Sequence, residues 1–389
     1  MASLGGNPHS IEPELAREIY YHLSRQEEIE SKIRDQWGNW DWQYSRANRE
    51  GALYRPWLDE RIAERSPGIR QQPDRWPDGK PFALCITHDV DWISSIRMSK
   101  KELRQWKANL DKGSAYWRQV AKYLMQRRRA RGRLDPLWHF ENWLELESQY
   151  CFRSTFYFFS NPVQQPHHHD CGYQLDDQFV FRGEQVTVAE FARELLRGGW
   201  DVGLHGSFNS ATDANLLREQ KERLEKAIDL EVYSSRQHYL RYDPARTPRI
   251  HAEAGFQSDS TQGFNRNIGF RAGTCFPYRC IDLEASEELP VLEIPQHIMD
   301  GALFATNSLE YDCDLAVTHS LELMDRAQEM GGVLTISWHP NNLEEVNPLY
   351  WRCFAELLRE AHQRNAWGCS ARQLAEWWTD RRMPSPESA

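Results

Sequence analysis

Short strand-like runs that end in ionisable residues recur along this chain, and that recurrence restricts its fold more than any other feature. Phe82-Ala83-Leu84-Cys85-Ile86-Thr87 leads into His88-Asp89-Val90-Asp91. Trp200-Asp201-Val202-Gly203-Leu204 leads into His205, Val232-Tyr233-Ser234-Ser235 into Arg236-Gln237-His238, and Val333-Leu334-Thr335-Ile336-Ser337-Trp338 into His339. Apolar runs without polar alternation suit strands covered on both faces, as in a parallel sheet. Helical signals lie between them. Thr187-Val188-Ala189-Glu190 reads as a capping box, and its helix stops at Gly198-Gly199. Ser210-Ala211-Thr212-Asp213 opens a helix with Leu217, Leu224 and Ile228 on one face, and a later helix from about Leu315 to Glu329 stops at Gly331-Gly332. This alternation predicts an α/β fold with a parallel sheet, doubly wound or closed as a barrel.

The 389 residues suit one α/β domain, alone or with an extension. Residues 1–80 read as that extension, with a helix from about Pro13 to Ile33 and a Pro-rich approach to Pro81. The α/β unit is expected over 81–380, with a basic helical insertion at about 99–135. A helix from about Leu137 to Gln149 leads to an aromatic strand, Phe152 to Phe159, and then to a loop from Asn161 to Phe181. That loop carries His167-His168-His169. Consecutive imidazoles point in different directions, so they are read as polar surface rather than as metal ligands.

Composition removes several function classes. Lys and Arg number 47 against 57 Asp and Glu, a net charge of −10, which argues against a nucleic-acid partner. No apolar run approaches the roughly 20 residues of a membrane span. The first residues lack a charged segment followed by an apolar one, so a cytoplasmic location is expected. The eight cysteines form no CxxC pair, against a zinc knuckle or a disulfide framework.

The strand ends carry the chemistry. Active sites in α/β barrels are built at the C-terminal rim of the strands. Asp89 and Asp91 are two apart, so an extended backbone points both carboxylates to one side. Such a pair is strained by repulsion unless a cation intervenes. A divalent metal resolves this: one Asp ligates with nearby histidines, and the other stays free as a base. A histidine opposite would protonate the leaving group, as in a hydrolase acting on an amide or ester.

These residues resemble the polysaccharide deacetylase family, the NodB-homology or carbohydrate esterase family 4 type, in a divergent branch with a His-Asp-Val-Asp first motif. Thr87-His88-Asp89-Val90-Asp91 stands where the family has Thr-Phe-Asp-Asp-Gly after a buried strand. The Phe152 to Phe159 run is similar to its second strand. Gly203-Leu204-His205-Gly206-Ser207-Phe208-Asn209 keeps one histidine of the second motif, with Asn209 in place of the other. Arg236-Gln237-His238-Tyr239-Leu240-Arg241 resembles the third motif, and Ile336-Ser337-Trp338-His339 the last. The resemblance covers about residues 75–378.

It implies a deformed (β/α)7 barrel that removes an N- or O-acyl group, acetyl or formyl, from a carbohydrate with a divalent metal, zinc above all. Carried over by position, Asp89 is the base, Asp91 and His205 are metal ligands and His339 is the acid; the residue inserted between the aspartates leaves their roles exchangeable. His238, at the next strand end, is expected to replace the missing ligand. Arg236, Arg241, Asp259 and Trp338 fall at substrate-binding positions. The segments Gly255 to Thr261 and Gly269 to Thr274 sit where relatives shape the substrate pocket. Arg271 there either orients a carboxylate, stabilises the oxyanion or forms a surface salt bridge. Glu293 and Asp300 read as ordinary strand-end carboxylates. The partner implied is an acylated sugar, nucleotide-sugar or glycan precursor, and residues 1–80 either cap the barrel bottom or mediate dimerisation. The incomplete second motif also fits a metal-independent hydrolase of a small cyclic amide or ureide; the third reading is a non-catalytic glycan-binding or scaffold barrel, against which the retained Asp89, Asp91 and His339 speak.

Overall fold

A computed structural model describes residues 11–66, 75–95, 117–118, 120–121, 124–125, 135–162, 167–344 and 346–380. Most of the insertion expected at 99–135, including Gln126-Arg127-Arg128-Arg129, lies outside the described residues, as do positions 67–74 of the Pro-rich approach.

The strands are β1 (Ala83–Val90), β2 (Thr155–Phe159), β3 (Gln178–Phe181), β4 (Glu184–Thr187), β5 (Asp201–Gly206), β6 (Ser234–Gln237), β7 (Ser258–Asp259), β8 (Tyr278–Asp282), β9 (Glu287–Glu293), β10 (Ile298–Met299), β11 (Val333–Ser337) and β12 (Trp367–Cys369). The main sheet runs β10-β11-β1-β2-β5-β6-β7-β9-β8, with β12 also on β1. Its pairings are parallel except β8 with β9. One continuous stretch, 287–299, pairs with β7 through β9 and with β11 through β10, so the sheet curls. The fold is therefore mixed α/β, and the C-terminal ends of its parallel strands gather at one mouth.

Local chemistry explains the elements. β1 and β2 are buried at every position, as strands covered on both sides must be. Thr187 caps the helix Val188–Arg197 in a reciprocal box with Glu190, and the helix buries Val188, Phe191, Ala192 and Leu195 against the sheet. Asp213 caps the helix Ala214–Ile228. Gly331, at φ 61°, ends the helix Cys313–Met330. No helix among the described residues is long and apolar enough to cross a membrane.

Three local expectations change. The single helix expected over 13–33 is two, Pro13–Leu23 and Gln26–Glu30, broken at Arg25 in the left-handed region. The break turns the Arg25 guanidinium onto Glu28 in the interior. The loop expected from Asn161 to Phe181 includes β3, which pairs with β4 through Arg182-Gly183, both at positive φ as a tight hairpin turn requires. The strand expected from Phe152 starts at Thr155.

Residues 11–66 pack along the segment that follows β7. Leu58 donates its backbone N–H to the Gly273 carbonyl, and Asp59 accepts from the Cys275 N–H at 2.7 Å. Gly269 and Gly273 permit this approach: both have positive φ, and a Cβ at either would meet the Leu53 backbone or the Trp57 indole. The chain then reaches the N-terminal ends of the strands, where Trp76 stacks on Trp378 and donates to the Gly331 carbonyl at 3.0 Å.

One buried ion cluster fastens this segment. Both Glu28 oxygens accept from Arg271 at 2.7–2.8 Å, and Oε1 also accepts from Arg25 at 2.6 Å. Burial opposes the charged carboxylate, but Arg271 and Arg25 outweigh it and bring the Glu28 pKa from 4.5 to about 2. A depressed carboxylate stabilises the fold above its unfolded pKa and loses that contribution as pH falls through the folded value. Docking of residues 11–66 is thus expected to weaken between pH 4.5 and about 2. Glu28→Gln should cost about 3–5 kcal/mol at neutral pH, because two buried guanidiniums lose their counter-charge. Urea unfolding of the variant across this pH range checks both; an unchanged midpoint would count against the cluster as a fastening.

Candidate active site

The β1 alternation sets the site. Thr87 and Asp89 point into the barrel interior, and Asp91 follows on the same side. His88 points the other way. It is fully buried, donates from Nδ1 to the Trp338 carbonyl (2.8 Å), meets Glu147 through Nε2 (2.7 Å), and packs on Phe156. Glu147 also accepts from Ser154 and Trp200. His88 is thus a strut between sheet and helix, and nothing in the sequence pointed to Glu147 as its anchor.

Around Asp91 the other strand ends converge. His205, the fifth residue of β5, places Nε2 3.2 Å from Asp91 Oδ1. His238, just past β6, places Nε2 3.6 Å from the same oxygen. His339, after β11, places Nε2 3.6 Å from Oδ2. Cys171 adds its thiol 3.6 Å from Oδ1. The ligand atoms of Asp91, Cys171, His205 and His238 all lie within 4.8 Å of one another. Cys171 escaped the sequence reading because it sits in a loop far from any motif, with no paired cysteine to mark it.

Asp89 stands beside this group. Arg236 spans the barrel interior to meet it, with Nη1 3.6 Å from Asp89 Oδ1 and Nη2 donating to Thr87 and Ser260. Its guanidinium lies over the Tyr157 ring. Burial works against a charged Asp89, but Arg236, then His205 and His339, hold its carboxyl below the ordinary range. Asp91 is likewise resisted by burial and held well below that range by His238 and His205. For His339 burial lowers the pKa, yet the Asp300 carboxylate, with Asp91 and Asp89, carries it up to about 10. Asp300 accepts from His339 Nδ1 at 2.6 Å and from its backbone N–H at 2.9 Å, and from Asn342. Asp300 is therefore not an ordinary strand-end carboxylate; it orients the imidazole.

These side chains open on a cleft of about 340 Å³. Asp89, Asp91, His205, His238 and His339 line it, together with Gln36 and Trp37 from the N-terminal segment, Tyr239, Asn265, Arg266 and the turn 305–308. Trp37 stacks on Tyr239, whose backbone is left-handed at φ 59°. Asn39 and Asn265 both donate to the Tyr239 carbonyl at 2.7 Å, securing the strained turn that carries His238. Residues 36–39 thus belong to the mouth of the barrel, not to its bottom.

Other positions picked out in the sequence lie outside this cleft, Arg236 among them: it is fully buried on Asp89, Thr87 and Ser260 rather than facing a substrate. Arg271 is buried and committed to Glu28 and the Gly263 carbonyl, so it faces the N-terminal segment rather than a substrate or an exposed surface. Its loop, 269–274, is the docking surface for Leu53 and Trp57. Asp259 is fully buried among Ser235, Thr261 and His251. Trp338 is fully buried against Phe354 and Phe304. Arg241 lies over the Phe208 ring and donates to its carbonyl. Asn209 is exposed, and His167 and His169 of the triple histidine pack on Phe208 beside it.

The donor set suits a divalent ion. His205 Nδ1 donates to the Arg236 carbonyl at 3.0 Å, which leaves Nε2 as the ring nitrogen that can ligate. That buried Nε2 has no hydrogen-bond partner although it faces a carboxylate oxygen. Facing a carboxylate in the interior, Nε2 calls for positive charge between them, a second proton or a metal ion, and Asp89 and Asp91 raise its affinity for either. Two donors on one tetrahedral ion stand about 3.4 Å apart at ordinary zinc bond lengths. The 3.2 and 3.6 Å separations bracket that value. Asp91, His205 and His238 would hold the ion, with Cys171 at the edge of the set.

No known family profile matches the sequence, and no curated protein matches it either. Solved structures do. A protein from Mycobacterium smegmatis classed as a polysaccharide deacetylase shares 19% identity over 79% of this chain and 94% of its own, with a TM-score of 0.51. The Puue allantoinase shares 13% identity over 81% of this chain and 96% of its own, with a TM-score of 0.50. At these identities the likeness concerns the fold: the chain carries a divergent form of the polysaccharide-deacetylase type of α/β architecture.

Proposed function

We propose that this protein is a metal-dependent hydrolase that removes an N- or O-acyl group, acetyl or formyl, from a sugar, nucleotide-sugar or glycan precursor. The observation that carries the reading is Asp91, ringed by His205, His238 and His339 within 3.6 Å, with a second carboxylate, Asp89, held charged beside it. Zinc is the ion that best fits two imidazoles and one carboxylate with room for a further ligand. Held by Asp91, His205 and His238, it would supply Lewis acidity to the acyl carbonyl and make water acidic near neutral pH.

The remaining steps belong to the chain. Asp89, kept ionised by Arg236, accepts the proton of the attacking water. His339 carries a proton on Nε2 into the cleft while Asp300 holds Nδ1, so it can protonate the departing nitrogen or oxygen. The acyl carbon gains the water oxygen and loses the sugar heteroatom; the products are a carboxylate and a free amine or hydroxyl. Gln36, Asn265, Asn307 and Ser308 offer the cleft polar groups suited to sugar hydroxyls.

Metal removal tests the reading. The purified protein is expected to hold about one zinc per chain. Its turnover of acylated amino sugars should fall at least about a hundredfold on chelation and return with zinc. Chelator-insensitive turnover of a cyclic ureide by metal-free protein would replace this reading with the metal-independent one. Binding of glycan without turnover, in protein holding its metal, would leave a glycan-binding barrel.

A further inference from the structure

Arg266 is the one Lys or Arg among the described residues that line the cleft. It is only partly buried and lies 4.9 Å over the Trp37 ring. Trp37 is itself fixed by its stack on Tyr239, 5.2 Å between ring centres. The neighbouring arginines are committed, Arg241 to the Phe208 carbonyl and Arg271 to Glu28. Arg266 has no such commitment: among the described residues no carboxylate lies within ion-pair distance and no acceptor takes its hydrogen bonds. An uncompensated cation at the mouth of a cleft stands out in a chain of net charge −10. An aromatic platform that holds a guanidinium flat leaves its edge free, and that edge matches a carboxylate or phosphate in a two-point fork.

We propose that Arg266, positioned by Trp37, binds an anionic substituent of the substrate, so that the acylated sugar carries a phosphate or a carboxylate. The proposal rests on the deacylase reading and narrows its substrate class. It also gives the N-terminal segment a part in recognition, because Trp37 is the surface on which Arg266 lies.

Binding of deacylated sugars tests it without turnover. Calorimetry on the full-length protein would compare glucosamine, glucosamine 1-phosphate, glucosamine 6-phosphate and the 6-carboxylate analogue. At least one charged sugar should bind about tenfold or more tightly than glucosamine, the gain of a charge-assisted fork. Arg266→Gln should bring that ratio close to one, and Arg266→Lys should leave it intermediate, with melting temperatures near that of the parent. Which charged sugar shows the effect distinguishes phosphate from carboxylate. No preference in the parent protein, or a preference untouched by Arg266→Gln, overturns the proposal. If the ratios hold while no acylated sugar is turned over, the deacylase reading fails and the anion site stands. If turnover occurs with no charge preference, the anion site alone fails.

Discussion

Asp91→Asn should strip the protein of its metal and its turnover together. The change removes the one charge that faces both imidazole donors, at 3.2 Å from His205 and 3.6 Å from His238. An amide can still fill the volume, and the side chain is 20% exposed, so the fold should persist. Bound zinc is expected to drop from about one to under about a tenth per chain, since losing a ligand exceeds the 10- to 100-fold affinity cost of losing a ligand's support. The rate should fall at least about a thousandfold. Asp89→Asn is the contrast. It should cost a comparable part of the rate by removing the base, roughly a hundred- to ten-thousandfold, yet leave metal content near that of the parent. Metal analysis and steady-state rates on the two variants separate ligand from base. The reverse pattern would exchange their roles, and a metal-replete, active Asp91→Asn protein would remove Asp91 from the ligand set.

Arg236→Met is expected to act on both stability and pH dependence. Arg236 is fully buried and is the chief counter-charge of Asp89. Removing it strands a carboxylate in the barrel interior, at a cost of about 3–5 kcal/mol. The sign with pH follows from the same pair. In the parent, Asp89 titrates below its ordinary value, so its contribution is present at neutral pH and lost only as pH falls through that lowered value. Without the guanidinium, burial acts unopposed and raises the carboxyl. The base is then protonated over more of the acidic range, and the acidic limb of the rate profile moves to higher pH. Adding Asp89→Leu to Arg236→Met should restore most of the lost stability, because the stranded charge goes too, but none of the rate. Urea titrations of the four proteins and a pH–rate profile provide the check. Additive losses in the double variant would mean that the two side chains do not interact.

What could be read ahead of the structure depended on range. β1, β5 and β11 were legible because strands covered on both faces must be apolar throughout, and their ends were legible because an ionisable residue after such a run is costly without a use. The capping box at Thr187 was legible because its partner is three residues away. The break at Arg25 was not, since the Glu28 carboxylate onto which it turns Arg25 is held in place by Arg271, 243 residues from Glu28 in the chain. In the sequence Arg271 reads equally as a contact to a carboxylate or oxyanion and as a surface salt bridge; its actual partner comes from a segment that no local pattern connects with it. Asp300 looked ordinary for the same reason, as its bond to His339 spans 39 residues. Cys171 carries no signal of its own at all.

The sequence by itself determined the alternation of helices and buried strands, and with it a parallel α/β sheet whose strand ends hold Asp89, Asp91, His205, His238 and His339. Those properties follow from periodicity and capping, which act within a few residues. Only the tertiary structure decided which atoms face which: that Asp91 is the hub, that Arg236 crosses the interior to charge Asp89, and that Trp37 and Asn39 reach the mouth of the cleft. The physical reason is that electrostatic and packing partners are chosen by distance in space, and the curl of the sheet brings together Asp91 and His339, which the backbone separates by 248 positions.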